Sequence, residues 1–287
     1  LTGQNIENSE NQYRYDRNPH EPLLKFKRCL AHFCIDNNKA SMTTKLSGPR
    51  TKFLPFNKGI ENPEVENDYR VEYMWNEVFT PDNLSDIISN FVFVSEEEEL
   101  EYNNKTQKVE KKIQENLIFP RYHQLDLNKS FKNQIPVDNI GTNYLVQHTT
   151  GSGKSYSIGW LAHLLTSLYK DRDSDERMFS SIIVVTDRKV LDKQLQNTIT
   201  SLQQVSGVVN NVTQGSKQLK EFLEQGKDII VTTIQKFPYV ISNINELDQK
   251  SFAVIIDEVH SSQSGELATA MKSALNIDIS ENADEID

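Results

Sequence analysis

The sequence predicts an α/β protein in which a doubly wound parallel sheet fills residues 117–287 and an α+β region precedes it. Three observations predict this. Apolar runs of strand length alternate with amphipathic stretches of helix length. A glycine-rich segment, His148-Thr149-Thr150-Gly151-Ser152-Gly153-Lys154-Ser155, falls between a predicted strand and a predicted helix. A further apolar run, Val254-Ile255-Ile256, ends in two adjacent carboxylates, Asp257 and Glu258. Near-continuous apolar strands separated by helices mean a parallel sheet covered on both faces.

Residues 1–90 mix short strand-like runs, at 28–35, 40–45 and 52–56, with turns at Asn57-Lys58-Gly59 and Asn62-Pro63, which reads as α+β. Thr80 or Asp82 can cap a helix that continues through Phe91. Residues 91–116 are read as a helical linker, in which the acidic run from Glu96 to Glu99 leads into a charged helix over 105–116. In the remaining part, strands are expected at 143–146, 181–185, 228–232 and 252–256, with helices at 155–168 and 191–202.

Bulk properties exclude several classes. The 287 residues suit one large or two medium domains. The formal net charge of −10 opposes a surface that binds nucleic acid everywhere, so any DNA contact is expected to be local. No window approaches eighteen uncharged apolar residues and no basic-then-apolar leader opens the chain, so a cytoplasmic protein without membrane insertion is expected. Cys29 and Cys34, with His32 between them, lack a second ligand pair at zinc-finger spacing and are read as reduced core residues. The first residue is Leu1, and the chain is expected to be a piece of a longer one.

The glycine-rich segment has the chemistry of a phosphate cradle. Glycines let backbone amides turn inward, and the following helix N-terminus adds partial positive charge. Lys154 is placed to neutralise the β/γ phosphate oxygens and Ser155 to ligate Mg2+, with Thr149, Thr150, Gly151, Ser152 and Gly153 supplying the loop. The segment departs from the generic pattern at His148, where glycine is usual. At the carboxyl end of a neighbouring strand, Asp257 would hold the metal through water, and Glu258 would orient or deprotonate the attacking water. His260 is read as a sensor coupling nucleotide state to DNA, against the blander reading of a satisfied strand-end residue. In Tyr122-His123-Gln124, Gln124 can pair both edges of adenine while an aromatic ring stacks on the base.

These residues resemble the motor motifs of type I restriction enzyme R subunits, which are superfamily 2 DNA translocases. The resemblance is carried by His148 to Ser155, by Thr186-Asp187-Arg188-Lys189-Val190-Leu191, by Val231-Thr232-Thr233-Ile234-Gln235-Lys236-Phe237 and by Asp257-Glu258-Val259-His260. It extends upstream, where Met42-Thr43-Thr44-Lys45-Leu46 and Phe53 to Gly59 look like the closing strands of that family's nuclease domain. It implies a RecA-like first motor domain over 117–287 and the C-terminal remnant of a nuclease-like domain over 1–90. ATP and Mg2+ are the implied cofactors; duplex DNA and the modification and specificity subunits are the implied partners. The nuclease centre would lie upstream of Leu1, and the second motor domain with its arginine beyond Asp287, so this chain is expected to bind ATP and not to cleave DNA.

Thr232, Thr233, Gln235 and Lys236 follow a strand end, where amides, hydroxyls and an amine can meet a nucleic-acid backbone. Arg188 is a further DNA candidate, although a capped helix start explains Asp187-Arg188 nearly as well. Two other readings compete: another superfamily 2 translocase, and a module that binds ATP to dock partners without turning it over.

Overall fold

A computed structural model describes residues 3–103, 107–138, 140–149, 151–171, 174–186, 189–203, 205–237 and 250–257. The chain divides into two compact units, Leu1–Asp126 and Leu127–Asp287. The division falls inside a helix, ten residues later than the 116/117 boundary expected from composition.

The first unit opens with helix α1 (Ile6–Asn11), whose N-cap Asn5 accepts from the Asn8 amide at 3.1 Å while the Asn8 side chain accepts from the Asn5 amide at 2.9 Å. Strands β1 (His32–Ile35), β2 (Ala40–Thr43) and β3 (Leu54–Pro55) form an antiparallel sheet in that order. Its aromatic core is built edge to face: Phe33 stands 5.2 Å from both Phe56 and Phe79, and Tyr122 lies 5.0 Å from Tyr73. Cys34 is buried in β1, and the Cys29 thiol donates to the Ala31 carbonyl. Helix α2 (Pro81–Asn90) starts as expected, with extended Thr80 at the N-cap and Pro81 at the first helical position. The Thr80 hydroxyl donates instead to the Glu77 carbonyl at 3.2 Å.

The linker differs from expectation. Residues 93–118 form an antiparallel hairpin of β4 (Phe93–Asn103) and β5 (Lys108–Ile118), with the acidic run in β4 where a solvated linker was read. The reason lies in the period. Val109, Ile113 and Leu117 recur every four residues, which fits a helix turn but equally fits one face of a strand, because four is a multiple of two. Partners decide the matter: Tyr102 stands opposite Val109 and Val94 opposite Leu117, and such cross-strand pairs outweigh helix propensity.

Among the described residues the second unit contains a four-stranded, all-parallel sheet. Its order is β7 (Val209–Asn211), β8 (Ile229–Thr233), β6 (Ser181–Thr186) and β9 (Phe252–Ile256). Among the described residues the same unit carries helices α3 (Tyr122–Asp138, shared with the first unit), α4 (Lys154–Leu165), α5 (Lys189–Ser201) and α6 (Ser216–Gln225). Alternation sorts the strands' side chains onto two faces. Ile182 and Val184 of β6 join Ile229 and Val231 under Ile158, Leu161 and Leu165 of α4 and Leu195 and Ile199 of α5. Ile183, Val185 and Ile230 join Leu219 and Leu223 of α6 on the other face. Each fully buried Ile, Val or Leu contributes about 1.5–3 kcal/mol of transfer free energy, and a sheet apolar on both faces must be wound on both. The predicted α/β doubly wound parallel sheet is what the chain adopts.

One predicted strand is not formed. Residues 143–146 are irregular, with Leu145 64% exposed. Tyr144 is held elsewhere: its hydroxyl donates to Asp138 Oδ2 at 2.7 Å and its ring packs edge-on to Phe131 at 5.0 Å.

Candidate functional site

The glycine-rich loop bends where its sequence requires. Gly151 (φ 80°) and Gly153 (φ 82°) are both in the left-handed region, which a Cβ would penalise. Between them the Ser152 amide donates to the Thr149 carbonyl at 3.2 Å. Gly153 is the N-cap of α4 and, being glycine, has no side chain to cap that end itself. A helix N-terminus offers amide donors and the positive end of its dipole to an incoming anion. Thr149 is exposed, Lys154 and Ser155 are half-buried on the first turn, and Thr150 lies outside the described residues.

The two motifs, a hundred residues apart in sequence, meet at one contact. Lys154 Nζ lies 2.8 Å from Asp257 Oδ1, with the lysine side chain 43% exposed and the aspartate 13%. This is an approach of charges without hydrogen-bond alignment, since buried Oδ1 accepts no hydrogen bond among the described residues. Asp257 stands one residue beyond β9, and its amide extends the parallel ladder by donating to the Val185 carbonyl at 2.9 Å. Ligands outside the carboxyl ends of parallel strands are the rule in open α/β sheets. A buried carboxylate oxygen already facing a cation, with the Ser155 hydroxyl on the adjoining helix turn, is a hard-oxygen donor set suited to Mg2+. Glu258 and His260, the other carboxylate and the sensor, lie outside the described residues.

The remaining sequence candidates are placed as follows. Gln124, in the first unit, is 3% exposed, and its Oε1 accepts from the Arg121 amide at 2.9 Å. That is the reciprocal half of a capping box, in which the third helical residue satisfies the N-cap amide. Tyr122 beside it is buried, its hydroxyl 3.2 Å from Glu77 Oε2; burial first, and Glu77 second, raise its pKa. Thr232 and Thr233, at the end of β8, are 0% and 3% exposed, so neither hydroxyl faces solvent as the DNA reading expected. Burial follows from strand alternation, because both faces of this sheet are covered. Gln235 is exposed in the following turn, and the Lys236 amine donates to the Val212 carbonyl. Arg188 lies outside the described residues.

One residue missed in the sequence reading is Thr186. It ends β6 opposite Thr233 and is 2% exposed, with its Oγ1 unpartnered among the described residues. Nothing in a Val-Val-Thr-Asp string says which face its hydroxyl takes; register alone does.

Comparison with known proteins adds the family. The sequence profile of the SWI2/SNF2 ATPases matches residues 95–279, more than half of the chain. A putative type I restriction enzyme MjaVIIIP endonuclease subunit from Methanocaldococcus jannaschii is 24% identical over 237 residues, covering 72% of this chain and 22% of that protein. The type I restriction enzyme SsaAORF53P endonuclease subunit of Staphylococcus saprophyticus is 34% identical over 139 residues, covering 47% of this chain and 14% of its own. The HindI endonuclease subunit of Haemophilus influenzae is 34% identical over 128 residues, 41% of this chain and 11% of that protein. The chain thus spans about a fifth or less of the length of these relatives. On its profile match it belongs to the SWI2/SNF2 ATPase family, and its relatives are type I restriction enzyme endonuclease subunits.

Proposed function

We propose that this chain is the first motor domain, with the adjoining end of the nuclease domain, of a cytoplasmic type I restriction enzyme subunit. That subunit uses ATP to move duplex DNA before cleavage and works with modification and specificity subunits. The observation that carries the proposal is the 2.8 Å approach of Lys154 to Asp257, which brings a phosphate-binding loop and a strand-end carboxylate into one site. In this reading the loop amides from Thr149 to Ser155 hold the phosphates, and Lys154 leaves Asp257 for the β/γ oxygens. Ser155 and Asp257 hold Mg2+, which when bound neutralises charge on the transferring phosphoryl group. Glu258 positions the attacking water, His260 couples the site to DNA, and Gln124 contributes to adenine recognition. For Gln124 to do so, its amide must leave or share the Arg121 amide it now accepts from.

The DNA face is assigned to Arg188 and to the turn after β8, where Gln235 and Lys236 carry the side-chain contacts. Thr232 and Thr233, with buried hydroxyls, act through the backbone they position. In this reading the chain binds ATP. Calorimetry of Mg·ATP binding to the native chain, Lys154→Ala and Gln124→Ala tests the reading. Binding lost with Lys154, weakened with Gln124 and accompanied by negligible turnover is expected; binding indifferent to Lys154 would refute it.

A further inference from the structure

The contact between Lys154 and Asp257 poses a problem for the loaded site. When a phosphate draws Lys154 away, Asp257 loses its only described cation and must be held in the metal-binding rotamer by something else. The neighbouring strand offers one donor. Val185 pairs with Ile256, and the Asp257 amide donates to the Val185 carbonyl, so Asp257 stands laterally beside Thr186. Alternation fixes the face. Ile182 and Val184 belong to the cluster under α4, with Ile255 packed against it, whereas Val185 and Ile256 belong to the opposite cluster. Thr186 and Asp257 therefore both project toward α4, the helix that carries Lys154. Thr186 is 2% exposed, and its Oγ1, like Asp257 Oδ1, has no hydrogen-bond partner among the described residues. A buried hydroxyl without a partner costs roughly 1–3 kcal/mol, so its retention calls for a state in which it is used.

We propose that Thr186 is a positioning residue for the metal carboxylate: its hydroxyl donates to Asp257 once Lys154 has moved to the phosphate. It then orients the carboxylate as outer-sphere donors orient metal ligands elsewhere. Thr186 also immediately precedes Asp187-Arg188, so the hydrogen bond ties the nucleotide site to a strand end assigned to DNA. The inference rests on the reading of Asp257 as the metal carboxylate.

The test titrates Mn2+ into the chain with saturating ADP, following free Mn2+ by electron paramagnetic resonance. Native chain, Thr186→Val, Thr186→Ser and Asp257→Asn are compared, with ADP affinity in EDTA and melting without nucleotide as companions. Thr186→Val is expected to weaken Mn2+ binding roughly ten- to a hundredfold, with Thr186→Ser close to native and ADP affinity in EDTA unchanged for both. Melting of nucleotide-free Thr186→Val should equal or exceed native, because an idle buried hydroxyl has been replaced by an isosteric methyl. Unchanged Mn2+ affinity in Thr186→Val with loss in Asp257→Asn would overturn the inference and leave the metal reading standing. Lower melting of Thr186→Val would also overturn it, since the hydroxyl would then serve the resting fold. Native affinity in Asp257→Asn, or no Mn2+ uptake by the native chain, would remove the metal reading and the inference with it.

Discussion

Lys154 and Asp257 were both legible in the sequence, because a glycine-rich loop before a helix and an acidic strand end carry their chemistry in residue type and spacing. Their mutual contact in the nucleotide-free chain was not legible, and it makes a prediction of its own. A lysine amine 2.8 Å from a carboxylate oxygen occupies the charge position that a divalent cation would take. Lys154→Ala should therefore bind Mn2+ alone more tightly than the native chain while losing Mg·ATP. Titration of both proteins with Mn2+ in the absence of nucleotide checks this, and equal affinities would show that the contact does not compete with metal. Gln124 teaches the opposite lesson. A glutamine before a phosphate loop suits adenine chemically, yet its position as third residue of α3 also suits the capping box it makes, and both meanings share one residue type.

Among the contacts between α4 and the α5 segment, two can each be perturbed singly. A Cβ on Gly159 would stand 2.4 Å from Leu202 Cδ1 and 3.8 Å from Ile199 Cα, so the glycine marks a close crossing. Gly159→Ala gains about 1 kcal/mol of helix propensity, and its one close approach is to the movable end of Leu202, so its melting should change little. Gly159→Val should cost roughly 1–3 kcal/mol by overpacking, and Leu202→Ala in the same chain should recover part of it, a non-additivity that a double-mutant cycle reads directly. His163 makes the second contact, with Nε2 donating to the Ile199 carbonyl at 3.0 Å. Burial lowers its pKa below the ordinary 6.5, the carbonyl opposing in part. A lowered folded-state pKa gives stability present above about pH 6.5 and lost as pH falls through the folded value. Thermal melts from pH 7.5 to 5 should show that loss, and His163→Gln, which keeps a donor but does not titrate, should flatten it. The hairpin is testable as well. Tyr102 and Val109 are cross-strand partners, within disulfide reach in a strand pair but about 10 Å apart along a helix. Oxidised Tyr102→Cys/Val109→Cys should form an internal cross-link, and failure to do so would restore the helical reading.

The parallel sheet was readable because strands covered on both faces are apolar at every position, a signal that survives without any partner information. The three-stranded sheet of the first unit was readable only in outline, since 4-residue and 2-residue strands are short beside the turns that separate them. The hairpin and the segment at 143–146 were misread because pairing partners and side-chain anchors, absent from any local pattern, decided them. The two units also differ in what they bury, and this yields a prediction for the whole chain. In the first unit Tyr73 is fully buried, donates to the Phe56 carbonyl at 2.7 Å and has its pKa pushed up to about 12 by burial. Tyr122 beside it is raised in the same direction by burial and by Glu77. A raised folded-state pKa gives stability fully present below the unfolded value, near 10, and lost as pH climbs through the folded one. In the second unit Tyr144 is also raised to about 12, but it is 38% exposed and anchors only an irregular segment. Between pH 10 and 12 the first unit should therefore unfold ahead of the second. Phenolate absorbance should rise in that window, with the loss of first-unit structure, while amides of β6 and β8 keep their hydrogen-exchange protection. Tyr73→Phe removes the titration at the cost of one buried hydrogen bond, so it should lower stability at pH 7 yet make the alkaline loss shallower. Simultaneous collapse of both units would mean that the aromatic core of the first unit is not where alkaline stability is decided.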